Sequence, residues 1–426
     1  MAKDTDISLR NEMIYCAYIR NHTKEGTFKS FMPDLKRIKA LGTDILWLLP
    51  IYPIGSKNRK GDLGSPYAIE DYRKVNPEYG TMDDFKKLVQ QAHNLGMKVM
   101  IDIVYNHTSP DSVLVKEHEE WFMHDKDGLL QNKVSDWSDI SDLDYRQKAL
   151  WQYQIDTLKQ WAKIVDGFRC DVAPLVPIDF WIEARKQVEE VHPGMIWLAE
   201  STGDGFIREL RNQGYWASAD GEMYEAFDIT YDYDISDEYR GYLAGLLPLD
   251  VFVKALNHQD VLYPHNYVKM HFLENHDNER AHKLIPNKND LINWTAFSMF
   301  EKGIALIYGG QEFGDKNTPS LFTKDLVQKD DNIDLSELIT AMSSIKKHEI
   351  VKDGAYFVEN VGNDIVKISY TKGEHQMIGI FSLKSQDGAV PVSFKDGNYD
   401  NLITGEPVHV TNEIIKCVGQ PIIISK

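Results

Sequence analysis

The chain has 426 residues, enough for more than one module and for a large core without disulfide support. Its 47 Lys+Arg against 65 Asp+Glu leave a formal charge of −18, which argues against nucleic acid or an anionic membrane as partner. Hydrophobic residues make up 42% and charged residues 26%, the balance of an ordinary globular chain, so the acidity reads as a solvated surface.

The N-terminal stretch MAKDTDISLRNEM is polar and lacks an apolar secretion core, and the longest apolar runs are too short to span a bilayer. The expectation is therefore a cytoplasmic protein. MIYCAYI (13–19) reads as a strand. Phe31, Leu35, Ile38 and Leu41 then recur at helical spacing, ended by Gly42. DILWLLP (44–50) is apolar on both faces, as in a parallel strand covered on both sides. Thr81 and Asp84 form a capping-box pattern at the head of a helix whose apolar face is Phe85, Leu88, Val89, Ala92 and Leu95, with Gly96 as its stop. KVMIDIVYNH (98–107) follows as a strand.

Residues 108–143 break the rhythm. They are rich in Asp, Lys and Ser, carry Trp121, Phe122 and Trp137, and read as an insertion after the third strand. Strand-like runs then resume at 164–172, 195–201, 267–275 and 303–310, separated by helical patterns that include 144–163, 178–191 and 288–302. Such alternation predicts a parallel sheet with helices outside, and about eight units fit, which predicts a closed (β/α)₈ barrel. Its parts are 1–107 and 144–348, interrupted by 108–143. From 349 to 426 short strands such as DIVKISY, QMIGIFSL, AVPVSF and QPIIIS alternate with turn residues, predicting a separate all-β sandwich. Cys16, Cys170 and Cys417 are odd in number and widely spaced, so buried reduced thiols are expected.

Four acids stand at the ends of apolar strands: Asp102, Asp171, Glu200 and Asp277. Asp171 and Glu200 are 29 residues apart, one strand–helix unit of about 30 residues in a barrel of this kind. The other intervals place the four on strands 3, 4, 5 and 7, at the end of a barrel where catalytic groups gather. Retaining glycoside hydrolysis needs a carboxylate nucleophile and a separate carboxylic acid. Arg169 lies two residues before Asp171, so both side chains share a face and the guanidinium favours an ionised carboxylate. Glu200 follows Trp197, Leu198 and Ala199, and an apolar setting would keep it protonated as a general acid.

The segments DIVYNH (102–107), GFRCDV (167–172), WLAES (197–201) and ENHD (274–277) occur in the order of the four conserved regions of the α-amylase clan of glycoside hydrolases, which the chain resembles. GDLGSPYAIEDY (61–72) and YGGQEFG (308–314) extend the resemblance over nearly the whole barrel. It implies Asp171 as nucleophile, Glu200 as acid/base and Asp277 as the acid that stabilises the transition state. It implies further that Tyr67, His107, Arg169 and His276 bind the sugar, and that Asp102 supports the site without attacking substrate. The insertion corresponds to domain B and the last segment to domain C. No cofactor is required, and no metal-binding residue is assigned at the catalytic site. Asn106 matches a ligand of a structural calcium in many relatives, with Asp142 as a companion.

The sequence also departs from that pattern. Pro174 and Leu175 stand where many amylases carry a Lys-His pair. The loop NHTKEGTF (21–28) lacks the alternating Asp/Asn pattern of a second family metal site. The Tyr- and Asp-dense segment 227–242, expected after the sixth strand, either binds sugar or packs against neighbouring loops. The implied substrate is an α-glucan and the implied reaction a retaining hydrolysis. Transglycosylases, isomerases and phosphorylases share the same covalent intermediate. A non-catalytic carbohydrate-binding relative would show a damaged triad, whereas here Asp171, Glu200, Asp277 and Arg169 all stand.

Overall fold

The structure is a computed structural model that describes residues 4–330 and 332–426; residues 1–3 of the polar N-terminal stretch lie outside it. Eight parallel strands close into a barrel: β1 Met13–Ala17, β2 Ile45–Leu48, β3 Lys98–Ile103, β4 Gly167–Cys170, β5 Ile196–Ala199, β6 Ile229–Tyr231, β7 Val268–His271 and β8 Gly303–Tyr308. Closure is made by β1, whose Ile14 stands opposite Ile45 on one side and Leu306 on the other. Apart from Lys98, the strand residues are buried throughout, because side chains fill the interior while helices cover the outside. That double burial is why the strands read as continuous apolar runs.

The strands end sooner than those runs suggest: at 17, 48, 103 and 271 instead of 19, 50, 107 and 275. Residues just past them, such as Leu49, Val104 and Tyr105, stay buried as the base of the loops. Hydrophobicity therefore continues where strand pairing has stopped. The sixth strand lies within the segment 227–242, not ahead of it, and its three residues are too few to form a visible run. The helical stretch at 28–41 is broken by a 3₁₀ turn at Met32–Asp34, where Pro33 cannot donate a backbone hydrogen bond. The capping box at Thr81 is formed: Asp84 N–H donates to Thr81 Oγ1 at 3.2 Å, and Thr81 N–H donates to Asp84 Oδ2 at 3.1 Å.

Between β3 and β4 the insertion is anchored by two short antiparallel strands, His107–Thr108 and Ser141–Asp142. The C-terminal region forms two four-stranded antiparallel sheets. Ile365, Ile378, Ile380 and Ile424 of one sheet pack with Val390, Val410, Ile415 and Cys417 of the other. The sandwich docks on the helix Lys288–Phe300, where Phe297 and Phe300 meet Phe381, and Tyr370 O–H donates to the Phe300 carbonyl at 2.8 Å. Covered by barrel and sandwich together, that helix is buried nearly all round and has no polar face. Cys16, Cys170 and Cys417 are all buried and free. Among the described residues no helix is long and apolar enough to cross a membrane.

One buried ionic cluster lends itself to a direct test. His271 Nδ1 lies 2.7 Å from Glu301 Oε2 and 3.2 Å from Asp232 Oδ2. Burial alone lowers a histidine pKa, but the two carboxylates outweigh it and push His271 up to about 10. A folded-state pKa above the unfolded value near 6.5 gives stability that is full below about pH 6.5 and lost as pH rises through the folded value. The urea midpoint of the protein should therefore fall between about pH 7 and pH 10. His271→Asn should flatten that slope, and it should cost on the order of 3 kcal/mol at pH 7 by leaving two buried carboxylates unpaired. An equal slope in both proteins would refute the assignment.

Candidate active site

All four acids meet at the C-terminal mouth of the barrel, three of them around one guanidinium. Arg169, on β4, points into the barrel and is fully buried. Its Nη1 donates to Asp102 at 2.7 Å and to Asp171 at 2.9 Å, and its Nη2 lies 2.9 Å from Glu200 Oε2. Nε donates to the Tyr231 hydroxyl at 3.1 Å, and the Trp47, Tyr67 and Tyr231 rings surround the cation. The resemblance groups Arg169 with the sugar-binding residues. The structure instead turns its contacts to the carboxylates and leaves none of it exposed to the cleft.

Each acid arrives by a different local route. Asp102 lies within β3, not at its end, and is completely enclosed. Besides Arg169, it accepts a hydrogen bond from the Tyr67 hydroxyl at 3.2 Å. Asp171 and Glu200 each follow directly on their strand. After Asp171 the backbone turns sharply: Val172 has φ 35° and ψ 46°, a left-handed conformation costly for a β-branched residue. The turn aims Val172 N–H at Glu200 Oε2, 2.7 Å away. Asp277 sits six residues beyond β7, in a loop, with its side chain 44% exposed at the cleft. Asn275 Oδ1 fixes that loop by accepting Asp277 N–H at 2.9 Å.

The electrostatics differ from the sequence expectation in two respects. The Trp197 ring packs against Phe168, Trp181 and Phe227, and Glu200 touches Arg169 and the Val172 amide, so its immediate setting is polar. The cause is strand alternation, which sends residues 197 and 199 to the face opposite residue 200. Asp171, in turn, is held well above the usual carboxylate range, by burial first and by the Glu200 charge second, against the pull of Arg169. Asp102 is pushed up to about 7, mainly by burial. Three buried carboxyls facing one guanidinium cannot all ionise without a net negative charge in a desolvated site. Burial and mutual repulsion therefore favour the protonated forms of Asp171 and Asp102.

Tyr67 and His276 form one wall. Their rings stack 5.5 Å apart at 10°, and His276 Nε2 lies 2.6 Å from the Tyr67 hydroxyl and 3.0 Å from Asp277 Oδ2. A carboxylate beside that nitrogen requires a proton on it, so Nε2–H donates, and the Tyr67 proton goes to Asp102. His107 stands on the short strand that opens the insertion, with its ring 5.7 Å from Trp137. Burial lowers both histidines to about 3, so both imidazoles are neutral at physiological pH.

Several site residues carry no sequence signal of their own. Tyr231 and Trp47 cage Arg169, and the Tyr233 hydroxyl accepts from Asn275 Nδ2 at 2.8 Å. Of the Tyr-rich segment, Tyr231 and Tyr233 thus build the floor, while Tyr239 packs on Trp294. Leu175 is buried in a cluster with Val172, Ile207 and Ala217, against which Trp137 and Phe206 lie half-buried. The place of the Lys-His pair is therefore an apolar wall.

With that geometry in view, the family model for the α-amylase catalytic domain matches residues 11–138 and 118–355, and that for the bacterial α-amylase C-terminal domain matches 357–424. The chain belongs to the α-amylase family. It is similar to the crystal structure of an α-amylase from Lactobacillus plantarum, with 52% identity over 99% of this chain and 100% of that one and a TM-score of 0.97. It is also similar to a maltogenic α-amylase from Thermotoga neapolitana, with 34% identity over 98% and 99% of the two chains and a TM-score of 0.87. Among curated proteins, an α-1,4-glucan:maltose-1-phosphate maltosyltransferase of Myxococcus xanthus is 32% identical over 254 residues, 53% of this chain and 38% of that protein.

Removal of the central cation should be the most damaging single change in the site. Arg169→Met strands Asp102, Asp171 and Glu200 in a desolvated pocket, and it should cost about 3–5 kcal/mol in urea denaturation at pH 7. The loss should shrink at pH 5, where the carboxyls take up protons. A variant as stable as the parent at pH 7 would contradict this picture.

Proposed function

We propose that the protein is a retaining α-glucan hydrolase that cleaves α-1,4 bonds of maltodextrins or starch-derived oligosaccharides. The observation that carries this reading is the anchoring of Asp171 and Glu200 on the two η nitrogens of one guanidinium. Carboxyls tethered in that way stay close together, and retaining glycosidases hold theirs about 5–5.5 Å apart. Asp171 attacks the anomeric carbon and forms a glycosyl ester. Glu200, as general acid, gives a proton to the leaving oxygen, then takes one from the water that releases the sugar. Arg169 stabilises the negative charge that shifts between the two acids through the cycle.

The remaining residues act on the sugar. Asp277, open to the cleft, accepts from ring hydroxyls, and neutral His107 and His276 hydrogen-bond the same unit. The Tyr67 ring offers a flat surface to the pyranose. Asp102 has no exposed surface and acts through Arg169 and Tyr67.

Transfer to a second sugar is the competing reading, and one observation favours it. The wall formed by Trp137, Phe206 and Leu175 is apolar and aromatic, a surface that binds a pyranose face better than it binds water. The maltosyltransferase relatives are named for maltose 1-phosphate, whereas in this chain Arg169 and Lys133 are both engaged with buried acids.

Two measurements test the reading. Asp171→Asn should lower kcat on maltodextrin by on the order of 10⁴-fold, and unchanged activity would remove Asp171 from the chemistry. Glu200→Gln should lose about 10²–10⁴-fold on maltotriose but far less on a 4-nitrophenyl glucoside of the same length, whose leaving group needs no proton. Products of maltotriose decide between the two readings. Glucose and α-maltose alone mean hydrolysis, whereas longer oligomers mean transfer.

A further inference from the structure

The fold family implies a structural calcium at Asn106, and the residues around it can be tested for that fit. Calcium takes six to eight oxygens. The side chains nominated for it supply three: Asn106 Oδ1 and the two carboxylate oxygens of Asp142. Each is already engaged. Asn106 Oδ1 accepts from Lys133 Nζ at 2.6 Å, Asp142 Oδ1 from Asn106 Nδ2 at 3.1 Å, and Asp142 Oδ2 from Lys133 N–H at 2.8 Å. The Lys133 ammonium lies 3.7 Å from Asp142 Oδ2, with side-chain exposures of 7% and 1% for the pair. The donor set does not fit a divalent ion. One lysine balances one buried carboxylate, and an added calcium would leave an excess of positive charge in the same enclosure.

We propose that Lys133 is a resident cation that takes the structural place of calcium, and that through Asn106 it also aims His107. The lysine comes from within the insertion and reaches Asn106, three residues past the end of β3, so it ties the inserted segment to the barrel. The tie is reinforced by Leu143 N–H, which donates to the Asn106 carbonyl at 3.0 Å. By holding Oδ1, the ammonium fixes which way the Asn106 amide faces. Its Nδ2 then points at His107 Nδ1, 3.1 Å away, as well as at Asp142. A donor facing Nδ1 makes that nitrogen an acceptor and leaves the imidazole proton on Nε2. A calcium-dependent relative would obtain the same amide orientation from an ion that a chelator can remove; here it is covalently part of the chain.

The test uses the full-length protein. After dialysis into calcium-free buffer, metal analysis should find no stoichiometric calcium. The melting temperature should be the same in buffer, in EDTA and in millimolar calcium chloride. Lys133→Met, close in shape but without the charge, should melt several degrees lower. Its KM for maltotriose should rise by on the order of 10-fold with a smaller change in kcat, as expected when the partner of a substrate-binding histidine is lost. One calcium per chain in the parent, or a fall of several degrees in EDTA, would overturn the proposal. So would a Lys133→Met protein with unchanged melting temperature, and an unchanged KM would overturn the aiming of His107. If Lys133→Met does not fold, the calcium measurements on the parent decide alone. Only the kinetic arm rests on the proposed function; the calcium and melting arms stand whether or not the enzyme hydrolyses glucans.

Discussion

Everything at the mouth of the barrel is organised by a single constraint: three buried carboxyl groups must share one buried guanidinium. Arg169 bridges Asp102, Asp171 and Glu200 within 2.9 Å of its two η nitrogens. A lysine there would offer a point charge on a flexible stem. The planar fork of arginine holds two acids on different nitrogens at a set separation. Because the acids outnumber the cation and are buried, the carboxyls of Asp171 and Asp102 are held above the usual range.

The barrel supplies the convergence. Parallel strands that pair in register deliver Asp102, Asp171 and Glu200 to one end from β3, β4 and β5, with Asp102 directly opposite Arg169. The loop after β7 then brings Asp277 over the top. The strain is local. Val172 is forced into the left-handed region immediately after Asp171, and this directs a backbone amide at Glu200. Such a conformation persists because Val172 is pinned by Leu175, Ile207 and Ala217 beneath the aromatic wall.

Around that centre the accessory parts have separable tasks. The insertion contributes Trp137 and, through Asn106 and Lys133, the support of His107. The loop after β2 contributes Tyr67, locked between His276 and Asp102. The C-terminal sandwich touches none of these residues. It covers the helix Lys288–Phe300 and so seals the outside of the barrel next to β8.

The sequence by itself carried the barrel, because parallel strands buried on both faces must be apolar at every position and the helices between them must be amphipathic. It also carried the four acids and Arg169, since charged residues at the ends of apolar runs stand out and strand alternation puts 169 and 171 on one face. Short β6 leaves no signal because three residues have no periodicity, and apolar runs overshoot the strands because buried loop bases are as apolar as strands. Only the tertiary structure decided what each charge touches. It turned Trp197 away from Glu200, engaged Arg169 wholly with carboxylates, and put the Lys133 ammonium against Asn106, 27 residues away along the chain. Contacts of that kind join residues far apart in the chain through packing that leaves no local pattern, so no motif at either partner announces them.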